Sequence, residues 1–258
     1  VDLSTRRVIE TLDAALFPNS PSGSTTNSLA LDPIAKRLYI ANANNNCLAV
    51  FDVAVPGKSL AKGFVPVGWY PTAVKIVNNK LWVANGKGMT SLANPFGPSP
   101  IRRKEEVIHH GFSTKDPSQV EYIGGLFKGT MSIIELPNQS SLDTYTKAVY
   151  ANAAYSQAKA ENADVNAPTF PIPMKVGSPS PIKHVFYIIK ENRTYDQVFG
   201  DMPQGNGDPR LTIFGRSVTP NQHRLAEEFL LIDNLYCDAE VSVDGHSWSN
   251  AGYATDFN

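Results

Sequence analysis

The chain has 258 residues, with 23 basic and 24 acidic side chains and a hydrophobic content of 42%. This length predicts one large or two medium-sized domains, and the balanced charge removes any electrostatic case for binding nucleic acid or an anionic membrane surface. No apolar run approaches the roughly 20 residues that a membrane-spanning helix needs. The two cysteines, Cys47 and Cys237, lie in segments that we assign to different domains, so two free thiols are favoured over a disulfide.

The first half of the chain contains a repeat. The segment Leu38–Asn42 (LYIAN) recurs as Leu81–Asn85 (LWVAN), which is an offset of 43 residues, and Leu29–Leu31 aligns with Thr72–Val74 at the same offset. Each copy predicts a strand, a turn (32–37 and 75–80) and a second strand. Third strands are predicted at 47–53 and 129–136, and a fourth strand of the first copy at 61–67.

A period near 40 residues with four short strands per unit is typical of a β-propeller blade. The LYIANA-type strand, followed by a turn and the VFD segment of residues 50–52, also resembles the YVTN class of propeller repeats. We therefore interpret residues 1–139 as two full blades, with residues 1–9 as the tail of an earlier one. A closed propeller needs at least four blades, so we expect the chain to be a piece of a longer protein. The alternative is an ordinary β-sandwich.

The second copy carries a long insertion at residues 89–127. Loops of this length are usually functional or disordered. Its pair His109–His110 is a candidate for metal binding, but adjacent side chains usually point apart and no third ligand is evident nearby. We favour an insertion that packs on the neighbouring domain and shapes its entrance.

Residues 140–180 separate the two halves. A helix is predicted over 140–162, with Ser141 as a cap and apolar residues at helical spacing. Five prolines between 168 and 181 then predict an extended connector. We place a domain boundary near residue 180.

The second half begins with an apolar run that ends on polar residues. Val185–Ile189 predicts a strand buried on both faces, and Glu191 and Asn192 follow it directly. In open α/β sheets ligands bind at the carboxyl ends of strands, and a carboxylate with an amide oxygen suits a divalent cation. The alternative is a polar strand end followed by a helix with Asn192 or Thr194 as N-cap.

The sequence Glu191-Asn192-Arg193-Thr194-Tyr195-Asp196, followed by Phe199-Gly200, closely resembles the opening motif of the phosphoesterase family that includes bacterial phospholipases C and an acid phosphatase. The resemblance implies an alkaline-phosphatase-like α/β fold, in which Glu191 and Asn192 bind the active-site metal. It also implies a bacterial protein located in the periplasm or outside the cell.

The elements after this motif fit the start of a doubly wound sheet over residues 181–258. A Gly-rich loop at 201–210 precedes a helix that Thr219 and Pro220 open, with Leu225, Ala226 and Phe229 as its predicted apolar face. The segment 230–236 (LLIDNLY) predicts a second strand. Strand, helix and strand in this order are typical of an α/β domain.

The nucleophile is assigned by resemblance to the wider alkaline phosphatase and sulfatase superfamily. There an Asn-x-aromatic strand end precedes the nucleophile by six residues, which points from Tyr236 to Ser242. A hydroxyl at a helix N-terminus beside a cation has a stabilised alkoxide. Ser242 as a simple helix cap is the alternative, and Ser247 and Ser249 are rival hydroxyls. His246 would orient phosphate, donate a proton or pack the turn.

These features together predict a metal-dependent phosphoesterase that carries an N-terminal propeller. Its superfamily completes the metal site with late Asp and His residues, so these 258 residues alone are expected to bind metal weakly without turnover. The alternative is a propeller that serves as a cell-surface platform for a protein or a glycan, with a degenerate α/β part. A propeller-borne enzyme such as a lactonase is a third interpretation.

Overall fold

The computed structural model describes residues 1–18, 20, 23–90, 94, 96–97, 106–108, 119–153, 171–172, 179–237 and 242–252. The chain divides into two compact units. Unit 1 comprises residues 1–159 together with 239–258, and unit 2 comprises residues 160–238. The predicted histidine pair His109–His110 lies outside the described residues.

Unit 1 contains two antiparallel sheets. Sheet 1 has the strand order β1 (Thr26–Asp32), β2 (Arg37–Asn42), β3 (Cys47–Asp52) and β4 (Leu60–Pro66). Sheet 2 joins β5 (Pro71–Val77), β6 (Lys80–Asn85) and β9 (Thr130–Glu135), and a small parallel pair, β7 (Glu106–Ile108) and β8 (Gln119–Glu121), lies between β6 and β9 in the chain. The strands predicted from the repeat are therefore confirmed.

The turn predicted over residues 75–80 is shorter than expected. Strand β5 continues to Val77, and only Asn78 and Asn79 connect it to β6, with φ angles of 49° and 60°. Asparagine tolerates this left-handed region better than other non-glycine residues. A two-residue hairpin turn therefore replaces the predicted six-residue turn.

The two sheets share one register. In sheet 1, Tyr39 lies opposite Val50 and Ala41 opposite Leu48. Trp82 lies opposite Ile133, and Ala84 opposite Met131, at the corresponding positions of sheet 2. The repeat seen in the sequence is thus a repeat of strand pairing as well, while closure into a propeller stays a prediction.

The main core of unit 1 lies between the two sheets. It joins residues of sheet 1, residues of sheet 2 and Leu142; they are Ala30, Tyr39, Ala41, Leu48, Val50, Val65, Val74, Leu81, Val83 and Leu142. A cross-sheet hydrogen bond of 3.1 Å from the Val74 amide to Ser28 Oγ fixes β5 beside β1. Burial of branched aliphatic side chains on facing strands is the main stabilising contribution here.

The opposite side of sheet 1 is covered in part by the N-terminal segment. Ala14 and Leu12 pack against Ile40, Ala49 and Phe51. The buried Asn42 donates a hydrogen bond of 2.7 Å from Nδ2 to the Ala14 carbonyl oxygen, which ties the segment to the end of β2.

Helix α1 (Gln139–Asn152) covers the edge of sheet 1. Its N-cap is Asn138, whose side chain accepts a hydrogen bond from the Ser141 amide, so the predicted cap Ser141 is wrong. Thr146 Oγ1 accepts from the Phe64 amide of β4 at 2.9 Å. A backbone donor of an edge strand, which would otherwise face solvent or another chain, is thereby satisfied by a helix side chain.

Neither strand predicted in the second half is present. Residues 185–189 and 230–236 form no regular element, and Phe186 and Leu235 are 91% and 77% exposed. A strand buried on both faces needs a hydrogen-bonded neighbour and covering helices, and no described residue of unit 2 belongs to a strand. The apolar composition of these segments favours burial, but a strand forms only where a neighbouring strand pairs with it.

The described helices after α1 are short. Helix α2 spans Tyr195–Phe199, α3 spans Pro220–Glu228 and α4 spans Ser242–Ala251. The apolar face predicted for α3 is wrong, because Leu225 and Phe229 are exposed while His223 is the buried residue of the helix. None of the described helices combines the length and apolar character that a bilayer crossing requires.

Candidate functional site

The first part of the candidate site is the segment that contains Glu191 and Asn192. Both residues are exposed, and they precede helix α2 by a few residues. Arg193 Nη1 donates to the Asn192 carbonyl oxygen at 2.9 Å, and its guanidinium lies 5.4 Å from the Phe214 ring. The predicted ligands thus lie at the surface of unit 2, within a segment that Arg193 anchors to the loop around Phe214.

A capping box holds the end of this segment. The Gln197 amide donates to Thr194 Oγ1, and the Thr194 amide donates to Gln197 Oε1, both at 3.4 Å. Thr194 is therefore the N-cap, as one of the two sequence interpretations predicted. Four consecutive residues fix the start of α2 by local hydrogen bonds alone.

Helix α2 is tied to the following loop. Asp196 Oδ1 accepts a hydrogen bond of 2.7 Å from the Asp208 amide, and the Gln197 carbonyl oxygen accepts from the Phe214 amide at 2.8 Å. Gly200 allows this close approach: a Cβ there would lie 2.5 Å from the Asp196 carbonyl oxygen and 2.6 Å from that of Asp208. The motif residues Asp196 and Gly200 thus have structural roles in unit 2.

A polar cluster around the buried His223 joins this loop to helix α3. The fully buried His223 has Nε2 2.8 Å from Asp201 Oδ1, and its Nδ1 is 3.0 Å from Thr219 Oγ1. Asp201 also accepts from the Arg216 amide at 2.8 Å. These hydrogen bonds, from Arg216 first and then from His223, hold the pKa of Asp201 below its ordinary value against the opposing effect of burial.

Sequence reasoning missed this cluster. The available signal was a histidine four residues after the predicted N-cap Thr219, a spacing that places both side chains on one face of α3. Asp201 at the end of the motif FGD offered no separate signal. Because His223 is fully buried and every member of the cluster is hydrogen bonded to another part of unit 2, the cluster has a structural role there.

Tyr195 is a further motif residue with an unusual environment. Its hydroxyl oxygen is buried and has no hydrogen-bond partner among the described residues, and a Cβ on Gly205 would lie 2.9 Å from that oxygen and 3.1 Å from Asp233 Oδ2. Burial, followed by the carboxylates of Asp233 and Asp196, raises the pKa of Tyr195.

The second part of the candidate site is helix α4. Ser242 is its first residue, and His246 follows one turn later; both are exposed. Residues four apart lie on the same face of a helix. Ser247 is half-buried and lies, like Ser249, beyond the first turn. Of the three hydroxyls considered from the sequence, only Ser242 lies where the helix dipole and the N-terminal amides act.

Glu191 and Asn192 belong to unit 2, whereas Ser242 and His246 belong to unit 1. A single metal shared by Glu191, Asn192 and Ser242 therefore stays a prediction. Among the described residues, no group of three or more His, Cys, Asp and Glu side chains is arranged to hold a metal ion. The carboxylate and the amide supply two oxygen ligands of the kind that hard divalent cations take, which fits part of a coordination shell.

Comparisons of the chain with models of protein families, with curated proteins and with solved structures find no significant match.

Proposed function

We propose that this protein is a metal-dependent phosphoesterase in which Ser242 is the nucleophile. The observation that carries the proposal is the position of Ser242 as the first residue of a ten-residue helix, with His246 one turn later on the same exposed face. The resemblance of the segment Glu191–Asp196 to the phosphoesterase motif supports the same class of reaction. A β-propeller built from the repeats of unit 1 belongs to this proposal.

The proposed reaction has two displacement steps. Ser242 Oγ attacks phosphorus, the new bond to Oγ forms, and the bond from phosphorus to the alcohol oxygen breaks. His246 takes the proton that Ser242 Oγ loses and gives it to the departing alcohol oxygen in the same step. Water then attacks phosphorus, the bond to Ser242 Oγ breaks, and inorganic phosphate leaves while Ser242 regains a proton.

The N-terminus of α4 supports this role through electrostatics. The first amides of a helix have no partner inside the helix and carry partial positive charge, which favours a phosphate group next to Ser242. Asp244 in the first turn opposes this effect in part, because its carboxylate lies in the same turn. The helix begins at the predicted nucleophile, as a hydroxyl activated by a helix terminus requires.

Glu191 and Asn192 would hold the divalent cation. When bound, such an ion supplies charge neutralisation for the phosphate oxygens and lowers the pKa of a bound hydroxyl or water. Glu191 would contribute a negative oxygen ligand, and Asn192 a neutral one that orients without adding charge. We expect replacement of Glu191 by glutamine to weaken cation binding more than the same replacement at an exposed glutamate elsewhere, such as Glu135.

The test is hydrolysis of p-nitrophenyl phosphate and bis-p-nitrophenyl phosphate by a longer polypeptide that contains this chain, because the 258 residues alone are expected to show no turnover. Mg²⁺, Mn²⁺, Zn²⁺ and Ca²⁺ are each supplied, with a chelator as control. We expect chelator-sensitive hydrolysis that falls at least about a hundredfold in Ser242→Ala and is unchanged in Ser249→Ala, the matched serine of the same helix. Activity that survives Ser242→Ala would reject this nucleophile. Absence of hydrolysis with every metal would favour a binding platform.

A further inference from the structure

One acidic side chain of unit 1 is buried inside the protein. Glu121, the last residue of β8, is only 1% exposed, and the preceding residue, Val120, is completely buried. Because consecutive side chains of a strand point to opposite faces, β8 is covered on both faces at this position. A glutamate is almost never fully buried unless its charge is paired, so the surroundings of Glu121 call for an explanation.

The Glu121 carboxylate has no partner in the described part of the chain. Its Oε1 is buried and accepts no hydrogen bond there, and Glu121 forms no ion pair with any described residue. Removal of an ionised carboxylate from water without a compensating charge is strongly unfavourable. An oxygen with essentially no exposed surface is also out of reach of another domain or another chain, so whatever balances this charge is small.

A second unpartnered oxygen belongs to the side chain that is hydrogen bonded to Glu121. Asn94 donates from Nδ2 to the Glu121 carbonyl oxygen at 2.9 Å, and its Oδ1 is buried and has no hydrogen-bond partner among the described residues. Exchange of the two amide atoms would place Oδ1 against a carbonyl oxygen, so this hydrogen bond fixes which atom lacks a partner. Both unpartnered atoms are therefore acceptors.

The backbone holds these two residues together. The Glu121 amide donates to the Phe96 carbonyl oxygen at 3.0 Å, and the Gly97 amide donates to the Asn94 carbonyl oxygen at 3.1 Å. Gly97 packs closely on Asn94, because a Cβ on Gly97 would lie 3.0 Å from Asn94 Nδ2 and 3.2 Å from its carbonyl oxygen. The carbonyl oxygens of Asn94, Phe96 and Glu121 each accept one hydrogen bond and keep a second lone pair.

We propose that Glu121 and Asn94 bind a calcium ion within the insertion at residues 89–127. A carboxylate, an amide oxygen and backbone carbonyl oxygens are the ligands that Ca²⁺ takes, and its coordination geometry is flexible. Mg²⁺ fits this buried site less well, because it requires near-ideal octahedral geometry and keeps several water molecules. With a single carboxylate, we expect a dissociation constant of about 10⁻⁴–10⁻³ M, in the weak range for calcium sites.

This site is separate from the one in the proposed function. Glu121 and Asn94 belong to unit 1, whereas Glu191 and Asn192 belong to unit 2. The calcium proposal rests on buried acceptors without partners and needs no phosphoesterase activity. Binding and catalysis can therefore be tested independently.

The test is hydrogen exchange of the 258-residue chain with calcium and with a chelator. The amides of Gly97 and Glu121 report on the site, because both are hydrogen bonded beside it. At about 10 mM Ca²⁺, which is ten times the weaker expected dissociation constant, their exchange should slow about tenfold. Unchanged exchange at this concentration would overturn the proposal. Equal protection by Mg²⁺ would overturn the assignment to calcium.

Variants locate the effect. Glu121→Gln keeps the shape of the side chain but removes the charge, so calcium should no longer protect these amides. Glu135→Gln, at an exposed glutamate of β9, is the matched control, and Glu191→Gln tests the site of the proposed function. Both should retain the full protection. Protection that persists in Glu121→Gln, or that is lost in Glu191→Gln, would reject this site.

Thermal unfolding separates calcium binding from a purely structural role of Glu121. In chelator, Glu121→Gln removes an unpaired buried charge and should unfold at the same temperature as the wild type or at a higher one. Calcium should then raise the unfolding temperature of the wild type and leave that of the variant unchanged. A variant that is less stable than the wild type in chelator, with no effect of calcium on either, would mean a structural role and overturn the proposal.

Discussion

The carboxylate of Asp201 joins two parts of unit 2 through a single side chain. Its Oδ1 lies 2.8 Å from Nε2 of the fully buried His223, and its Oδ2 accepts from the Arg216 amide at 2.8 Å. Because a carboxylate only accepts hydrogen bonds, Nε2 of His223 is the donor. The two oxygens of the Asp201 carboxylate therefore hold helix α3 and the loop that precedes it together.

We expect Asp201→Asn to destabilise this region by about 1–3 kcal/mol, because the amide nitrogen of asparagine would face one of the two donors, Nε2 of the buried His223 or the Arg216 amide, and leave that donor unpaired. Hydrogen exchange of peptides that cover residues 210–228 measures the free energy of local opening. The control is Glu228→Gln, which removes an exposed pair with Arg224 and should cost no more than about 0.5 kcal/mol. Equal effects of the two changes would contradict the assigned role of Asp201.

The same carboxylate gives a prediction for pH. The pKa of folded Asp201 lies below its ordinary value of 3.8, through hydrogen bonds from Arg216 and then His223. A lowered folded pKa means stability that is fully present above the unfolded pKa and lost as the pH falls through the folded one. The difference in opening free energy between wild type and Asp201→Asn should therefore be constant near neutral pH and shrink below about pH 4. A difference that grows on acidification would refute this linkage.

The contact of helix α1 with sheet 1 depends on one hydroxyl. Thr146 Oγ1 accepts from the Phe64 amide at 2.9 Å and donates to the Leu142 carbonyl oxygen at 2.8 Å. Thr146→Val keeps the shape but removes the acceptor, so we expect a loss of about 1–2 kcal/mol in urea unfolding. Thr144→Val on the exposed side of the same helix has the same cost in helix propensity and serves as the matched control. Thr146→Val should have a clearly lower free energy of unfolding than Thr144→Val, and equal values would contradict the prediction.

Replacement of glycine by alanine should lower stability at Gly200 and raise it at Gly245. A Cβ at Gly200 would lie 2.5 Å from the Asp196 carbonyl oxygen, so Gly200→Ala should destabilise unit 2 by about 1–3 kcal/mol. A Cβ at Gly245 in α4 has no neighbour within 4 Å, and Gly245→Ala should stabilise that helix by up to about 1 kcal/mol. Circular dichroism and thermal unfolding of both variants provide the comparison. A neutral Gly200→Ala would mean that the loop after α2 packs less closely than described.

The two free cysteines should differ in reactivity. Burial raises the pKa of Cys47 to about 12, and a hydrogen bond with Asn42 opposes the shift. Cys237 is exposed. Near pH 8 only about one Cys47 side chain in 10⁴ is a thiolate, so a thiol reagent should label one cysteine per native chain quickly and two after denaturation. Cys237→Ser should abolish the fast reaction. Rapid labelling that persists in Cys237→Ser would show that Cys47 is accessible.

The strands of unit 1 were predictable because their signal is local and repeated. The LYIAN and LWVAN segments alternate with turns, and the common offset indicated which strands correspond. The cap of α1 was misplaced by three residues, since Asn138 and Ser141 are both good capping residues and only the backbone geometry decides between them. The start of α4 at Ser242 followed from the resemblance and not from periodicity.

The sequence prediction failed in unit 2 where structure depends on partners. Val185–Ile189 and the segment 230–236 have the composition of buried strands, yet a strand forms only beside another strand. The Asp201–His223 contact spans 22 residues and crosses a loop, so no spacing rule indicates it. Thr194, by contrast, caps α2 through hydrogen bonds within four residues, and it was one of the two caps that the alternative interpretation of this segment offered.

The insertion at residues 89–127 begins and ends at neighbouring positions of sheet 2. The register of β6 with β9 brings Gly88 and Lys128 together, so that a side chain on Gly88 would collide with the Lys128 carbonyl oxygen. The ends of the loop are closed by strand pairing whatever lies between them, and loop-closure entropy changes by only about 0.6 kcal/mol for each doubling of length. Loop closure therefore adds little thermodynamic cost when the segment between Gly88 and Lys128 is lengthened, which makes this junction a natural point for acquiring new sequence.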